Sequence, residues 1–412
     1  MKARSFNIVL AVLVLLAAIA VGVFSGLKEF PVSDKEGAPP PDERRLHASG
    51  NVIVNADGEE VFLKAVNVGG LFVQEGWMCA TELSGEEGVG VPDHLSMLSV
   101  LRERFGYDGA KELIAIYEEN FFTEADFDRV KEMGFNAIRL PFGYFNLENE
   151  AGELVEFDRI DWFVEQCDKK DIYLILDLHG AYGPQNNSDH SGDVSGTNLF
   201  GNKENEQKTI KLWETVARRY KGRSIIAGYD LLNEPSGFLG FTNALEQFPL
   251  YDALYDAIRA IDPEVMLIIE SVWEADNLPP PAQYGWENVC YSYHNYNWGH
   301  DDDVENHIAF VDAKLDSYAA LDYEVPKFVG EFTCFELGEV WEYTIRKYTE
   351  ADISYAVWTY KVTGFSSWGA YNLLNAEKAD VENDSYEEIA EKWAAVNTDN
   401  AVKRAVFEDY II

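Results

Sequence analysis

Short apolar runs recur along residues 51–412, and amphipathic stretches separate most of them. The runs lie at 62–68, 137–142, 172–178, 226–232, 266–270, 289–294, 328–331 and 355–360. Helical patterns fall at 124–133, 160–169, 206–220, 249–261 and 303–318. Strands buried on both faces read as near-continuous Val, Ile and Leu, and parallel strands need a helical crossover. This alternation predicts one α/β domain, a parallel sheet closed as a (β/α)8 TIM barrel. A doubly wound open sheet is the alternative. It would usually carry a Gly-rich phosphate turn after its first strand, but Val68-Gly69-Gly70 is not a GxGxxG and no GxxxxGK[ST] occurs. Residues 51–63 read as a small hairpin turned at Asp57-Gly58.

A barrel places functional residues where its strands end. Polar and aromatic residues fall at those points. Arg139 lies in the second strand, His179 ends the third, Asn233 and Glu234 end the fourth, His294 and Tyr296 the sixth, Glu331 the seventh, and Trp358 lies on the eighth. Singly each has an ordinary reading: a satisfied core histidine, a structural ion pair, a packed tryptophan. Together, from six strands, they converge on one cleft. Glu234 and Glu331 end the apolar runs IIAGYDLLNE and KFVGE. A carboxylate there is costly to bury unless it is paired or used. Two carboxyls facing each other across a cleft are the parts needed to break a glycosidic bond.

With these residues in place, the chain resembles glycoside hydrolase family 5, the large cellulase family of retaining β-glycosidases. Asn233-Glu234-Pro235 is similar to the family's acid/base motif and Gly330-Glu331-Phe332 to its nucleophile motif. Arg139, His179, His294, Tyr296 and Trp358 match its other active-site positions, and the likeness spans residue 51 to the end. The resemblance implies that Glu331 is the nucleophile, held by Arg139 and Tyr296. Glu234 would be acid and then base, and Asn233 would bond the sugar 2-hydroxyl. His179 and His294 would line the cleft, and Trp358 would be the floor under the reacting sugar. The two carboxyls of a retaining enzyme should stand about 5–5.5 Å apart. No metal or organic cofactor is needed.

The segments VNVGGLFVQEGWM (66–78) and HGAYGPQNNSDHSG (179–192) are similar to the family's exo-β-1,3-glucanases. VWTYKVTGFSSWGAYN (357–372) is more similar to bacterial endo-acting members. The expected activity is β-glucan hydrolysis, either exo-1,3 or endo-1,4. A β-mannanase or glycolipid-cleaving glycosidase is the enzymatic alternative, and a surface glucan-binding protein the non-enzymatic one. A two-lobed solute binder does not fit a single run of eight strands. The insert 76–120 is expected to overhang the cleft mouth. Trp77, Trp298, Trp368 and Tyr182 are candidates for further sugar-stacking surfaces.

The net charge of −39, from 72 acidic and 33 basic residues, disfavours nucleic acid and anionic lipid as partners. A neutral polysaccharide or oligosaccharide remains compatible with it. The cysteines, Cys79, Cys167, Cys290 and Cys334, form no CxxC pair and no zinc spacing; Cys334 reads as a packed thiol. Lys2 and Arg4 precede an uncharged apolar run at 8–24. Such a run directs export, as a signal peptide or signal-anchor helix over 1–26. Residues 27–50 read as a flexible linker and 51–412 as the catalytic domain. The expectation is an extracellular or cell-surface monomer, with 8–24 as the potential membrane attachment.

Overall fold

The computed structural model describes residues 43–83, 91–236, 247–271 and 274–409. Strands β3 (Lys64–Asn67), β4 (Ala137–Gly143), β5 (Tyr173–Gly180), β6 (Ile226–Asp230), β7 (Leu267–Glu270), β8 (Val289–Asn295), β9 (Lys327–Phe332) and β10 (Ser354–Val357) form a closed parallel barrel. They neighbour one another in chain order, and β10 closes on β3 through Tyr355↔Lys64 and Val357↔Val66. All eight expected strands are present.

Two cores hold the barrel. Inside it, Ala65, Ala137, Ile175, Ala227, Ile268, Cys290, Phe328 and Ala356 pack together, each from a different strand. Small residues among bulky ones fill the narrow interior. Leu46 and Ile53 join this core from the hairpin of β1 (His47–Ser49) and β2 (Val52–Val54). That hairpin begins within the stretch expected to be linker, with Leu46 and the strand His47–Ser49 inside it. The Asp57-Gly58 turn also forms: Gly58 sits at φ +80°, and Val61 N–H bonds back to Ile53 O at 2.9 Å.

The outer core lies between the strands and the helices. Several of the helices show a side-chain cap where they start. α2 (Glu124–Glu132) opens with a capping box in which Thr123 N–H donates to Asp126 at 2.6 Å. α4 (Lys203–Tyr220) is capped by Asn202 and α6 (Val304–Ala319) by Asp303. α3 (Asp158–Lys170) and α5 (Phe248–Arg259) complete the expected set; α7 (Gly338–Glu350) was not foreseen.

The insert after β3 is mainly helical. Its larger part is a long helix, α1 (His94–Phe121), interrupted at Gly106 by φ +74° and ψ 173°. It packs on α8 (Tyr386–Ala394) through Phe105–Tyr386 and Tyr117–Trp393 ring contacts. Both helices are amphipathic and satisfy each other's apolar faces. A small sheet of β11 (Lys361–Thr363), β12 (Tyr371–Leu373) and β13 (Val402–Lys403) follows β10. From β11 the fully buried Lys361 donates to Phe121 O, to Val396 O at 2.7 Å and to Thr398 Oγ1 at 2.9 Å. One ammonium thus joins the end of α1 to the C-terminal segment.

The four cysteines are buried free thiols. The apolar run 8–24 lies outside the described residues. Among the described residues, no helix is long and apolar enough to cross a membrane.

Candidate active site

Arg139 organises the carboxyl-terminal end of the barrel. It is fully buried in β4 and binds groups from the neighbouring strand ends. Nε donates to Asp230 Oδ2 at 2.9 Å, and Nη1 to Glu331 Oε1 at 2.9 Å and Asn67 Oδ1 at 3.0 Å. Nη2 donates to Asn233 Oδ1 at 2.9 Å and lies 3.1 Å from Asp177 Oδ1. A planar fork of donors suits this task and a lysine does not. Asn67 then ties the cluster to the backbone, donating to Gly330 O at 2.9 Å.

Glu331 accepts from two sides. Tyr296 O–H donates to Oε2 at 2.7 Å, opposite the Arg139 bond to Oε1. Gly330 precedes it because a Cβ there would stand 2.6 Å from Ser292 Oγ and 3.2 Å from His294 Nε2. Glu234 faces different partners. Its Oε1 is 2.7 Å from His294 Nδ1, and its Oε2 is 3.3 Å from His190 Nε2. The Glu234 backbone holds φ +43°, a left-handed conformation unusual for a residue with a side chain. It is pinned there: Glu234 N–H donates to Glu270 Oε2 at 2.9 Å, and Asn186 donates to Glu234 O at 3.1 Å.

The two carboxyls and His294 bring oxygen and nitrogen atoms to within 4.8 Å of one another. Among the described residues this is the one His/carboxylate group crowded enough for a cation. Its atoms are already engaged with one another, with Arg139 and with Tyr296.

His179 and Trp358 form a second layer. Asp177 Oδ2 lies 2.7 Å from His179 Nδ1, and the His179 and Trp358 rings are 5.6 Å apart and nearly parallel. Trp358 is joined to Thr359 by a cis peptide. Gly69 makes room for it, since a Cβ would lie 2.8 Å from the indole. All eight residues expected from the sequence therefore meet in one place.

Five carboxyls, those of Asp177, Asp230, Glu234, Glu270 and Glu331, surround this single guanidinium at 6% exposure or less. Burial pushes Asp177 and Asp230 up to about 7, and Glu270 well above the ordinary range. Burial raises Glu331 to about 7 and also raises Glu234. It lowers His294 to about 3, so that ring is neutral at physiological pH. With His294 neutral, Arg139 and Tyr296 are the groups that favour an ionised Glu331. Glu234 has no such bond from a guanidinium or phenol, so these bonds favour the charge of the pair on Glu331 over Glu234.

Sequence reading missed Asn67, Asp177, Glu270, Asp230 and His190. Asp177 lies inside one expected strand and Glu270 ends another, and a charged residue in an apolar run was the available signal. His190 sits in a loop whose path no periodicity reveals.

Aromatic residues extend the site outward. Trp368 lies 5.3 Å from Tyr296 and 5.5 Å from both Trp298 and Trp77, ring to ring. Trp298 is 61% exposed and Trp77 42%. Trp77 Nε1–H donates at 2.7 Å to Glu75, a buried carboxyl whose pKa is raised first by burial and then by Asp189, Glu331 and Glu234. Tyr182 is different: it stacks on Tyr144 at 4.1 Å and is mostly buried.

The sequence model of the cellulase family (glycosyl hydrolase family 5) matches residues 104–403. This chain belongs to that family. It is 32% identical over 261 residues to a β-xylosidase of Phanerodontia chrysosporium, covering 61% of this chain and 52% of that protein. It is 28% identical over 252 residues to a glucan 1,3-β-glucosidase of Candida oleophila, covering 57% and 58%. The chain thus spans only 52% and 58% of these two relatives. In fold it is similar to the rutinosidase of Aspergillus niger, with a TM-score of 0.60 at 17% identity over 82% of this chain and 98% of that one. It is also similar to a β-glucanase of Saccharophagus degradans, with a TM-score of 0.52 at 18% identity over 88% and 98%.

Proposed function

We propose that this family 5 protein hydrolyses β-glucosidic bonds of a β-glucan with net retention, by double displacement. The observation that carries the reading is the unequal environment of two carboxyls whose oxygens lie within 4.8 Å. One is bonded to a guanidinium and a phenol, and the other to His294 with His190 nearby. Close spacing suits direct attack by a carboxylate, because inversion needs room for a water between the groups.

In the first step the Glu331 carboxylate attacks the anomeric carbon, and Glu234 gives its proton to the departing oxygen. The sugar is then held as an ester on Glu331, which has lost its charge. Glu234, now ionised, takes a proton from water as that water attacks the same carbon and releases Glu331. Arg139 and Tyr296 orient the nucleophile and limit the cost of its charge. Asn233 bonds the sugar 2-hydroxyl, His179 lines the pocket, and Trp358 underlies the ring.

β-1,3-Glucan is the preferred substrate in this reading. Its support is the naming of relatives as glucan 1,3-β-glucosidases and the Glu75–Trp77 wall beside the site. The catalytic region works outside the cell, delivered by the apolar run at 8–24, and acts as a monomer. The acidic surface and that run support this.

The test is a product analysis on laminarin, carboxymethyl-cellulose, mixed-linkage glucan and mannan. Glucose from laminarin, first seen as the β-anomer by proton NMR, is the expected result. A ladder of oligosaccharides from cellulose would replace exo-action on 1,3-linkages with endo-action on 1,4-linkages. A first-formed α-anomer would overturn retention.

A further inference from the structure

Glu270 is a buried carboxyl beside Glu234 that the mechanism above leaves without a part. It ends β7, and its two oxygens meet different groups. Oε2 accepts the backbone N–H of Glu234 at 2.9 Å, whereas Oε1 lies 3.2 Å from His294 Nε2. The other ring nitrogen, Nδ1, lies 2.7 Å from Glu234 Oε1 and 3.4 Å from Glu331 Oε2. His294 is therefore wedged between carboxyl groups on both sides.

A neutral imidazole carries one N–H, and its position decides what Glu234 can do. With the hydrogen on Nε2, Glu270 accepts, and Glu234 must keep donating to Nδ1. Glu234 would then face a lone pair as soon as its own proton had left. With the hydrogen on Nδ1, Glu234 accepts from His294 in either protonation state, its own proton residing on Oε2. Glu270 must then supply the hydrogen for Nε2. Because Oε2 of Glu270 already accepts an N–H, that hydrogen belongs on Oε1, the atom that faces His294.

The surroundings favour this second arrangement. The charged and titratable groups around Glu270 are Asp230, Glu234, Arg139, His294 and, against its backbone, Tyr251. The one guanidinium is shared among five buried carboxyls, so several of them must stay neutral. Burial comes first among the causes, then the charges of Asp230 and Glu234.

We propose that Glu270 is a positioning residue, a neutral carboxylic acid that donates from Oε1 to Nε2 of His294 and so holds Nδ1–H toward Glu234. The inference rests on the reading of Glu234 as acid and base. Its effect falls on the Glu234 carboxylate, which keeps a donor after its proton has gone to the leaving oxygen and before water returns one. The Glu270 proton stays in place throughout, so the proton balance of the two steps is unchanged.

The direct test is the tautomer of His294 in the intact protein labelled with 15N-histidine. With 7 histidines in the chain, the His294 signals are identified by their loss in His294→Gln. At about pH 6.5, where an unperturbed imidazole is half charged, Nδ1 should carry the hydrogen and Nε2 should show the shift of a lone-pair nitrogen. Hydrogen on Nε2 would overturn the proposal.

Kinetics give an independent reading. In Glu270→Gln the amide nitrogen donates to Nε2 and the amide oxygen accepts from Glu234, so kcat/KM should stay within about threefold with both pH limbs unmoved. Glu270→Leu removes the donor. Hydrolysis of the glycosyl-enzyme should slow by about tenfold or more, the low end of general-base effects. A dinitrophenyl glucoside should then give a burst, and the alkaline limb should move to higher pH. A Gln variant as impaired as Leu would sink the idea, even if Leu failed to fold. Full activity of Glu234→Ala on unactivated glucan would instead sink the acid/base reading, leaving the tautomer result to stand on its own.

Discussion

Tyr296 donates its hydroxyl to Oε2 of Glu331 at 2.7 Å, on the side opposite the Arg139 bond. The bond favours the ionised form of the attacking group. Activity needs Glu331 ionised and Glu234 protonated, so the pH profile should be bell-shaped. The acid limb reports Glu331 and the alkaline limb Glu234. Tyr296→Phe removes a group that lowers the Glu331 pKa, which then rises. The acid limb of kcat/KM should move to higher pH by about one unit, equivalent to ~1.4 kcal/mol. A profile that stays in place would show that the phenol does not tune the carboxylate.

Truncating each carboxyl separates their roles. Glu331→Ala should lower kcat by roughly 10⁴-fold or more, the scale seen when a nucleophile is removed from a unit that acts together. Glu234→Ala should cost about 10²–10⁴-fold on glucan and far less on a dinitrophenyl glucoside, which leaves without a proton. Added azide discriminates further. It should yield the α-glucosyl azide with Glu331→Ala and the β-glucosyl azide with Glu234→Ala, as chromatography and NMR would read. Exchanged anomers would exchange the assignments.

Trp298 and Trp368 lie ring to ring at 5.5 Å, outward of Tyr296. If this platform holds a sugar remote from the bond being cut, Trp298→Ala weakens ground state and transition state alike. KM for oligosaccharides should rise about tenfold, or ~1.4 kcal/mol, at constant kcat. Glucosides with one sugar should be unaffected. A fall in kcat without a change in KM would instead place Trp298 against the reacting ring.

Lys361 supplies hydrogen bonds to Phe121 O and Val396 O deep in the protein. Lys361→Met fills similar space but leaves those carbonyls without that donor. Each buried acceptor left unmade costs about 1–3 kcal/mol. The thermal midpoint should fall, and hydrogen exchange should quicken at the end of α1 and in the residues after α8. An unchanged midpoint would mean that the ammonium's own burial offsets its bonds, since burial lowers Lys361 to about 7.

Periodicity made the barrel legible because each of its strands is buried on both faces and each expected crossover helix carries one apolar stripe. Most of the site residues were legible for a related reason: a polar residue ending an apolar run has to be satisfied by something. The same logic underused Asp177 and Glu270, which also lie in apolar runs but whose partners include Arg139 and His294 from other strands. Local sequence cannot report such pairings. α1 was hidden for another reason. Gly106 breaks its pattern midway, and its apolar face answers to α8, nearly three hundred residues further on. The strand His47–Ser49 was hidden by composition, since little except Leu46 marks its surroundings as part of a core.

The wiring of Arg139 bears on how this site can be altered. Its guanidinium binds Asn67, Asp177, Asp230, Asn233 and Glu331, drawn from four different strands and their ends. No spare donor remains to absorb a change in one partner. Substitutions here behave as a set, so an engineer scanning single positions would find mostly inactive variants and conclude that the pocket tolerates nothing. The aromatic rim has no comparable knot. New substrate preferences are reached by changing Trp77, Trp298 and Trp368, with the charged centre kept whole.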